Sequence, residues 1–224
     1  MGRWRVDEVT ALTGGVVRDT LEIVGREVTL ERFTSALGGA LASKDYETRE
    51  HSARLVGAAD AIARRLGLAD EVRRVIRFGA YLHDIGKVVI PGDLLRKRGA
   101  LTPYEVSIVR RHPEVGADIL ADIETWRDIR LIVRHHHERF DGNGYPDGLR
   151  GAHIPLGARI VSVVDALDVM RTGRPYQPAR SPEWILEELH RERGSQFDPD
   201  VVDELIAITA APSRHQDSTA ARSN

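Results

Sequence analysis

Six of the nine histidines fall where imidazole could serve a metal ion. His51 lies one helical turn before Leu55, and Glu47 one turn before His51, so the three share a face that runs from leucine into polar groups. Polar groups on a buried face need a partner, and a cation is one such partner. His83-Asp84 closes an apolar stretch just before Ile85-Gly86-Lys87, and both side chains can reach a cation beyond a helix end. His112 precedes Pro113, and His135-His136-His137 forms a triplet. Asp165 sits inside the apolar run IVSVVDALDV, where a carboxylate is costly to bury unless charge-paired or metal-bound. Each residue alone has an ordinary reading: a hydrogen-bonded core histidine, a solvated triplet, an aspartate paired with arginine. Together those readings require several buried polar groups to find separate partners. Imidazole and carboxylate without thiolate favour iron, manganese, zinc or similar divalent ions. His153, His190 and His215 fit no such pattern and read as surface residues.

The elements that must position these residues are helices. Leu30, Phe33, Leu37 and Leu41 mark an amphipathic helix from Thr29, and Leu55, Ala59, Ile62 and Leu66 mark a second that Gly67 stops. Asp70 reads as the N-cap of a third, carrying Val72, Val75, Ile76, Gly79 and Leu82. IPGDLLRKRGA reads as a loop. Thr102-Pro103-Tyr104-Glu105 combines a capping residue, Pro at N1 and Glu at N3. Ile129, Ile132, Val133 and His136 form another stripe, and Asp141 to Pro155 is a Gly-rich loop. A mostly apolar helix through Ile160, Val163, Val164 and Leu167 follows, and Ser181-Pro182 and Asp198-Pro199 start two short final helices. No alternating strand pattern of useful length appears, so the fold class is all-α.

Composition narrows the field. The 224 residues carry 32 basic and 34 acidic side chains, a net charge of -2 that argues against coating a nucleic acid polymer. The absence of cysteine excludes disulfides, thiolate metal sites, iron–sulfur clusters and cysteine nucleophiles. No apolar run approaches the roughly 20 residues of a membrane span, and MGRWRVDEVT lacks the hydrophobic segment of a secretory signal, so a cytoplasmic protein is expected. Residues 1–28 are expected to form a short leader, 29–210 the catalytic domain and 211–224 a disordered tail.

HDIGK (83–87), HPEVG (112–116) and HHERFDGNGYPDGL (136–149), with HSARLV (51–56), IPLGARIVSVVDALD (154–168), RPY (174–176) and FDP (197–199), resemble the HD-GYP family in its own order. An HD pair alone is a weak signal; the pair with HHE and the whole DGxGYP loop is specific. The resemblance implies an HD-domain helical bundle with a GYP loop between helices. It implies metal ligands at Glu47, His51, His83, Asp84, His112, His136, His137 and Asp165, with Asp84 bridging, and two or three divalent ions, iron or manganese. Lys87 and Arg174 resemble the residues on the substrate phosphates, and Lys87 is one of only three lysines, with Lys44 and Lys97. Asp141, Gly142, Gly144, Tyr145 and Pro146 form the signature loop, whose glycines permit positive φ or close backbone approach and whose Tyr145 faces ligand or partner.

The implied activity is that of a phosphodiesterase cleaving cyclic di-GMP to linear pGpG or GMP by a metal-bridging hydroxide. Lys87 and Asp84 are its catalytic residues, and Tyr145 and Arg174 join Lys87 in substrate binding. GGDEF-domain proteins as partners and a homodimer are compatible with the resemblance. The chain departs from the family pattern at Arg171 and at Gln177, where some members carry a basic residue. Two other readings stand beside it: a scaffold that binds cyclic di-GMP or GGDEF partners with little turnover, and another HD-type nucleotide phosphohydrolase. The intact ligand set argues against the first, and the GYP loop against the second.

Overall fold

The computed structural model describes residues 49–173 and 178–210. They form α1 (Arg49–Arg65), α2 (Asp70–Leu82), a 3-10 turn (Ile85–Val89), α3 (Gly92–Leu95), α4 (Pro103–Val109), α5 (His112–Ile119), α6 (Arg127–His135), α7 (Leu156–Thr172), α8 (Pro182–Glu192) and α9 (Pro199–Ala210). Two further 3-10 turns cover Glu124–Trp126 and Gly151–His153. No strand occurs among the described residues, in keeping with the all-α expectation. The helix expected from Thr29, the leader and the tail lie outside the described residues, as do Glu47 and Arg174.

The packing is organised around α7, whose Ile160, Val161, Val163, Val164 and Leu167 are all buried. A helix apolar on every side belongs inside a bundle, and α7 contacts α1, α2, α6, α8 and α9. Leu55, Ala59 and Ile62 of α1, Ile76 and Ala80 of α2, and Val201, Val202 and Leu205 of α9 close the core around it. A second cluster joins Leu82 and Ile85 to Val115 and Ile119 of α5 and to Ile129 and Val133 of α6. Asp84 sits at the joint between α2 and the 3-10 turn, directly after Leu82-His83.

Local signals account for most boundaries. Gly67, at φ +70°, ends the first helical segment in a conformation that disfavours side chains. Thr102 and Glu105 form the expected capping box: the Glu105 N–H donates to Thr102 Oγ1 at 3.3 Å and the Thr102 N–H to Glu105 Oε2 at 2.7 Å. Two expectations need correction. Ala69, not Asp70, is the N-cap of α2; Asp70 is its first helical residue and pairs with Arg73 one turn on. The segment read as a continuous loop from Ile90 contains the short helix α3, in which Pro91 supplies the extended N-cap and Asp93 stands in the first turn.

Gly86 decides how closely the 3-10 turn can approach α5. A Cβ there would lie 1.9 Å from the His112 carbonyl oxygen and 2.6 Å from the Gly116 nitrogen. Only glycine lets the backbone beside Asp84 come that near to the start of α5, which carries His112.

Candidate metal centre

The histidines and aspartates of the sequence motifs come together from five helices. His51 lies in the first turn of α1, His83 caps α2, His112 begins α5, His136 and His137 follow α6, and Asp165 sits in mid α7. Their ligating atoms form two groups, Asp84–His112–His136–His137 and His51–His83–Asp165, each with its atoms within 4.8 Å of one another. Asp84 faces both groups: His112 Nε2 is 3.1 Å from its Oδ1 and His83 Nε2 is 2.9 Å from its Oδ2. His83, Asp84, His112 and His136 are all buried.

The helix ends explain how the rings are aimed. His83 Nδ1 donates to the Ala80 carbonyl, His112 Nδ1 to the Val109 carbonyl and His136 Nδ1 to the Val133 carbonyl, each at 2.8 Å. These are carbonyls of terminal helical turns, which lack intrahelical partners and take the ring N–H instead. A ring nitrogen facing a carbonyl oxygen must carry the proton, so Nε2 of each ring holds a lone pair directed into the cluster. His51 is set the same way by a carboxylate, its Nδ1 donating to Asp168 Oδ2 at 2.7 Å.

These tautomers test whether the donor set fits metal ions. His112 Nε2 and His136 Nε2 lie 3.3 Å apart with lone pairs on both, and His112 Nε2 also faces the Asp84 carboxylate. Asp165 Oδ1 is buried without a hydrogen bond among the described residues. Converging lone pairs and an orphaned carboxylate oxygen repel one another unless a cation lies among them, so the residues fit divalent ions held by nitrogen and oxygen. Burial pushes the His137 imidazole down to about 3, with nearby His112 adding to the effect. Burial likewise holds His136 well below the ordinary range, so both rings are neutral at physiological pH.

Lys87, in the 3-10 turn, places Nζ 2.7 Å from Asp84 Oδ2 and is itself buried. Tyr145 stacks on His137 with ring centroids 4.9 Å apart and planes 21° from parallel, and its N–H donates to the His137 carbonyl at 3.2 Å. Burial raises its phenol to about 12, so it stays protonated. The guanidinium of Arg110 lies 5.1 Å from the centre of the same ring. Within the signature loop Tyr145 is the residue that stacks on a candidate ligand. Asp141 instead accepts hydrogen bonds from Arg139 and the Asn143 N–H, and Arg139 first of all holds its carboxyl down to about 2. Gly142 adopts φ +85°, and a Cβ on Gly144 would sit 2.2 Å from the Arg139 nitrogen, so both glycines are required as expected.

Several residues that build the site were not singled out from sequence. Asp168 is buried and holds His51, while Arg54 grips it with Nε at 2.5 Å from Oδ1 and Nη2 at 2.9 Å from Oδ2. Burial alone would raise the Asp168 carboxyl; Arg54 and His51 overcome that and hold it at about 2. The signal was its place one turn after Asp165 in the same apolar helix. Glu138, together with His135, which the sequence shows only as part of the triplet, flanks the two candidate ligand histidines and clamps the loop. His135 Nε2 is 2.9 Å from Asp147 Oδ2, and the Asp147 N–H donates to Glu138 Oε1 at 2.7 Å. Arg134 adds two hydrogen bonds to Asp147.

Known proteins resemble this chain in sequence and in fold. The HD domain family matches residues 37–201. The cyclic di-GMP phosphodiesterase response regulator RpfG of Xanthomonas campestris is 43% identical over 180 residues, covering 79% of this chain and 47% of that protein. The 3'3'-cGAMP-specific phosphodiesterase 2 of Vibrio cholerae is 35% identical over 192 residues, covering 82% of this chain and 37% of that protein. The chain thus spans less than half the length of these curated relatives. Among solved structures, Bd1817, an HDG"Y"P protein from Bdellovibrio bacteriovorus, shares the fold with a TM-score of 0.62 at 20% identity, over 92% of this chain and 72% of that one. With its HDIGK pair, its HHE run and its complete GYP loop, the chain belongs to the HD domain family, in the HD-GYP branch.

Proposed function

We propose that this chain hydrolyses the phosphodiester of a cyclic dinucleotide, cyclic di-GMP, to linear pGpG or GMP, using iron or manganese. The observation that carries the reading is Asp84, a single buried carboxylate that presents one oxygen to each of two adjacent donor groups. His51, His83 and Asp165 would hold one ion and His112, His136 and His137 the other, with Asp84 common to both. Two ions so held supply Lewis-acid activation of water at neutral pH and a clamp on the phosphate oxygens.

The chain's own residues do the rest. Lys87 sets a positive charge beside Asp84, where it offsets the negative charge that builds on the phosphoryl oxygens. His136 and His137 stay neutral, so they neither donate protons to the attacking water nor repel a cation. Tyr145 closes one side of the cluster through its stack on His137 and leaves its protonated phenol near Asp84, Lys87 and Asp165. Arg174 on the second phosphate and a third ion using Glu47 belong to the same reading.

Purified protein loaded with Mn²⁺ or Fe²⁺ and incubated with cyclic di-GMP, 3'3'-cGAMP or cyclic di-AMP tests it, with products resolved by chromatography. Linear pGpG or GMP is the expected product. Tight binding without cleavage would favour the scaffold reading, and cleavage of mononucleotides alone the generic hydrolase. Elemental analysis of wild type and Glu47→Ala counts the ions: three falling to two is expected if Glu47 supplies a ligand.

A further inference from the structure

Cleaving one phosphodiester accounts for only part of a cyclic dinucleotide. The metal cluster and Lys87 address the phosphate under attack, and nothing in that chemistry distinguishes guanine from adenine. A site that chooses between them must read O6 and N7 of guanine, two acceptors, against N6 and N7 of adenine, a donor and an acceptor. A positively charged planar fork of N–H donors fits the first pair and is mismatched to the second.

Arg110 is such a fork beside the cluster. It is exposed, it follows α4 in the turn that leads into His112, and its guanidinium rests 5.1 Å from the ring centre of Tyr145. Among the described residues it forms no ion pair, whereas Arg54, Arg134 and Arg139 each grip a carboxylate. Lys87, the other cation near Tyr145, is engaged with Asp84 inside the cluster. Tyr145 in turn stacks on His137, so Arg110 stands one aromatic ring outward from a candidate metal ligand. A base attached to a phosphate on the cluster lies outward from that phosphate as well.

We infer that Arg110 is a specificity-determining residue that donates to the O6/N7 edge of a guanine while Tyr145 holds it in place. The inference rests on the phosphodiesterase reading above. The competing role for Arg110 is structural: a cation at the end of α4 is also favoured by the helix dipole.

Kinetics of wild type, Arg110→Ala and Arg110→Lys on cyclic di-GMP, 3'3'-cGAMP and cyclic di-AMP separate the two, alongside metal content and turnover of bis(p-nitrophenyl) phosphate, which has no base. A guanine contact predicts that Arg110→Ala raises KM for cyclic di-GMP about ten-fold or more. KM for cyclic di-AMP, metal content and bis(p-nitrophenyl) phosphate turnover should not change, and 3'3'-cGAMP should lose no more than cyclic di-GMP. Arg110→Lys, a point charge without the fork, should recover only part of the preference. Equal losses on all three dinucleotides would overturn the inference in favour of a phosphate contact, and unchanged KM values with a lower melting temperature in favour of a helix-end role. If the wild type cleaves none of them, the proposed activity falls while Arg110 is judged by calorimetric affinity for the same ligands. There a collapsed guanine preference supports it; an unchanged preference, or no binding at all, overturns it.

Discussion

Asp168 should control one metal-binding group and leave the other alone. Its carboxylate receives the Nδ1–H of His51 at 2.7 Å and a two-pronged grip from Arg54, and it is buried. Among the described residues no comparable carboxylate stands behind His112 or His136, whose Nδ1 atoms donate to backbone carbonyls that no side-chain substitution removes. Asp168→Ala leaves the His51 N–H buried without its acceptor and the ring free to turn. Loss of such an outer partner lowers metal affinity about 10- to 100-fold, or about 1.4–2.7 kcal/mol. Asp168→Asn keeps an acceptor but loses the charge, and belongs at the ten-fold end. Arg54→Ala should cost less than about five-fold, because its side chain is 44% exposed and solvent screens the pair. The sign of any pH dependence follows from the Asp168 carboxyl being held at about 2. Its contribution is present above the ordinary carboxylate range near about 3.9 and is lost only as pH falls through the folded value, so the Asp168→Asn deficit is flat between about pH 6 and 8. Mn²⁺ titration of chelator-stripped protein by calorimetry, with metal content after dialysis at buffered Mn²⁺, reads both groups. One weakened group and one intact group is the expected result. Equal weakening of both, or none, would refute the argument that His51 is oriented by Asp168.

Asp84→Ala should abolish hydrolysis and lower the metal content of both groups while the far-ultraviolet helical signal stays native, since one carboxylate serves two sites. Gly86→Ala should cost about 3 kcal/mol in denaturant unfolding and reduce metal content, because the new methyl meets the His112 and Gly116 backbones rather than a movable side chain. Asp60, which joins α1 to α2 through Arg73 and Arg77 and also pairs with Arg64 within α1, has its carboxyl held well below the usual range, by Arg73 first. Asp60→Asn should therefore lose about 2 kcal/mol at neutral pH, and the gap to wild type should narrow as pH drops below about 4, where unfolded aspartate takes up its proton. A gap that stays constant down to pH 3, or widens, would contradict that assignment.

Much of this architecture is legible because a ligand cluster writes itself into sequence as polar residues at helix ends. His83-Asp84, His112 and His136-His137 all sit where an apolar stripe stops, and a terminal turn has spare carbonyls to orient a ring. Asp165 shows from its apolar neighbours alone. The residues that escaped are those whose roles are pairwise. Asp165 and Asp168 both approach His51 of α1, but Asp168 meets its Nδ1 and Arg54 while Asp165 lies on its Nε2 side, a property of helix packing that no local pattern carries. His135 and His136 are adjacent and identical in type, yet one faces the Asp147 loop and the other the cluster, because consecutive residues on a helix point about 100° apart. Asp70 was misplaced by one residue because Asp favours both the cap and the first turn, and its pairing with Arg73 settles it inside.

Charge balance then connects the site to its substrate class. Within the cluster two carboxylate side chains, Asp84 and Asp165, stand against one lysine, Lys87, while burial keeps His136 and His137 neutral and Arg54 pairs with Asp168. The donor set by itself carries a negative excess and would repel a phosphodiester. Two divalent ions held there would reverse that sign and leave a surplus of positive charge in a weakly screened setting. The proposed substrate, a cyclic dinucleotide, carries two negative charges on one rigid ring, so a field that drew one phosphate to the cluster would also draw its twin toward the same mouth. Affinity for the anion is then generic, and the choice among cyclic dinucleotides passes to groups at the rim that read the bases. Arg110, exposed against Tyr145 and without an ion pair among the described residues, is placed to make that choice.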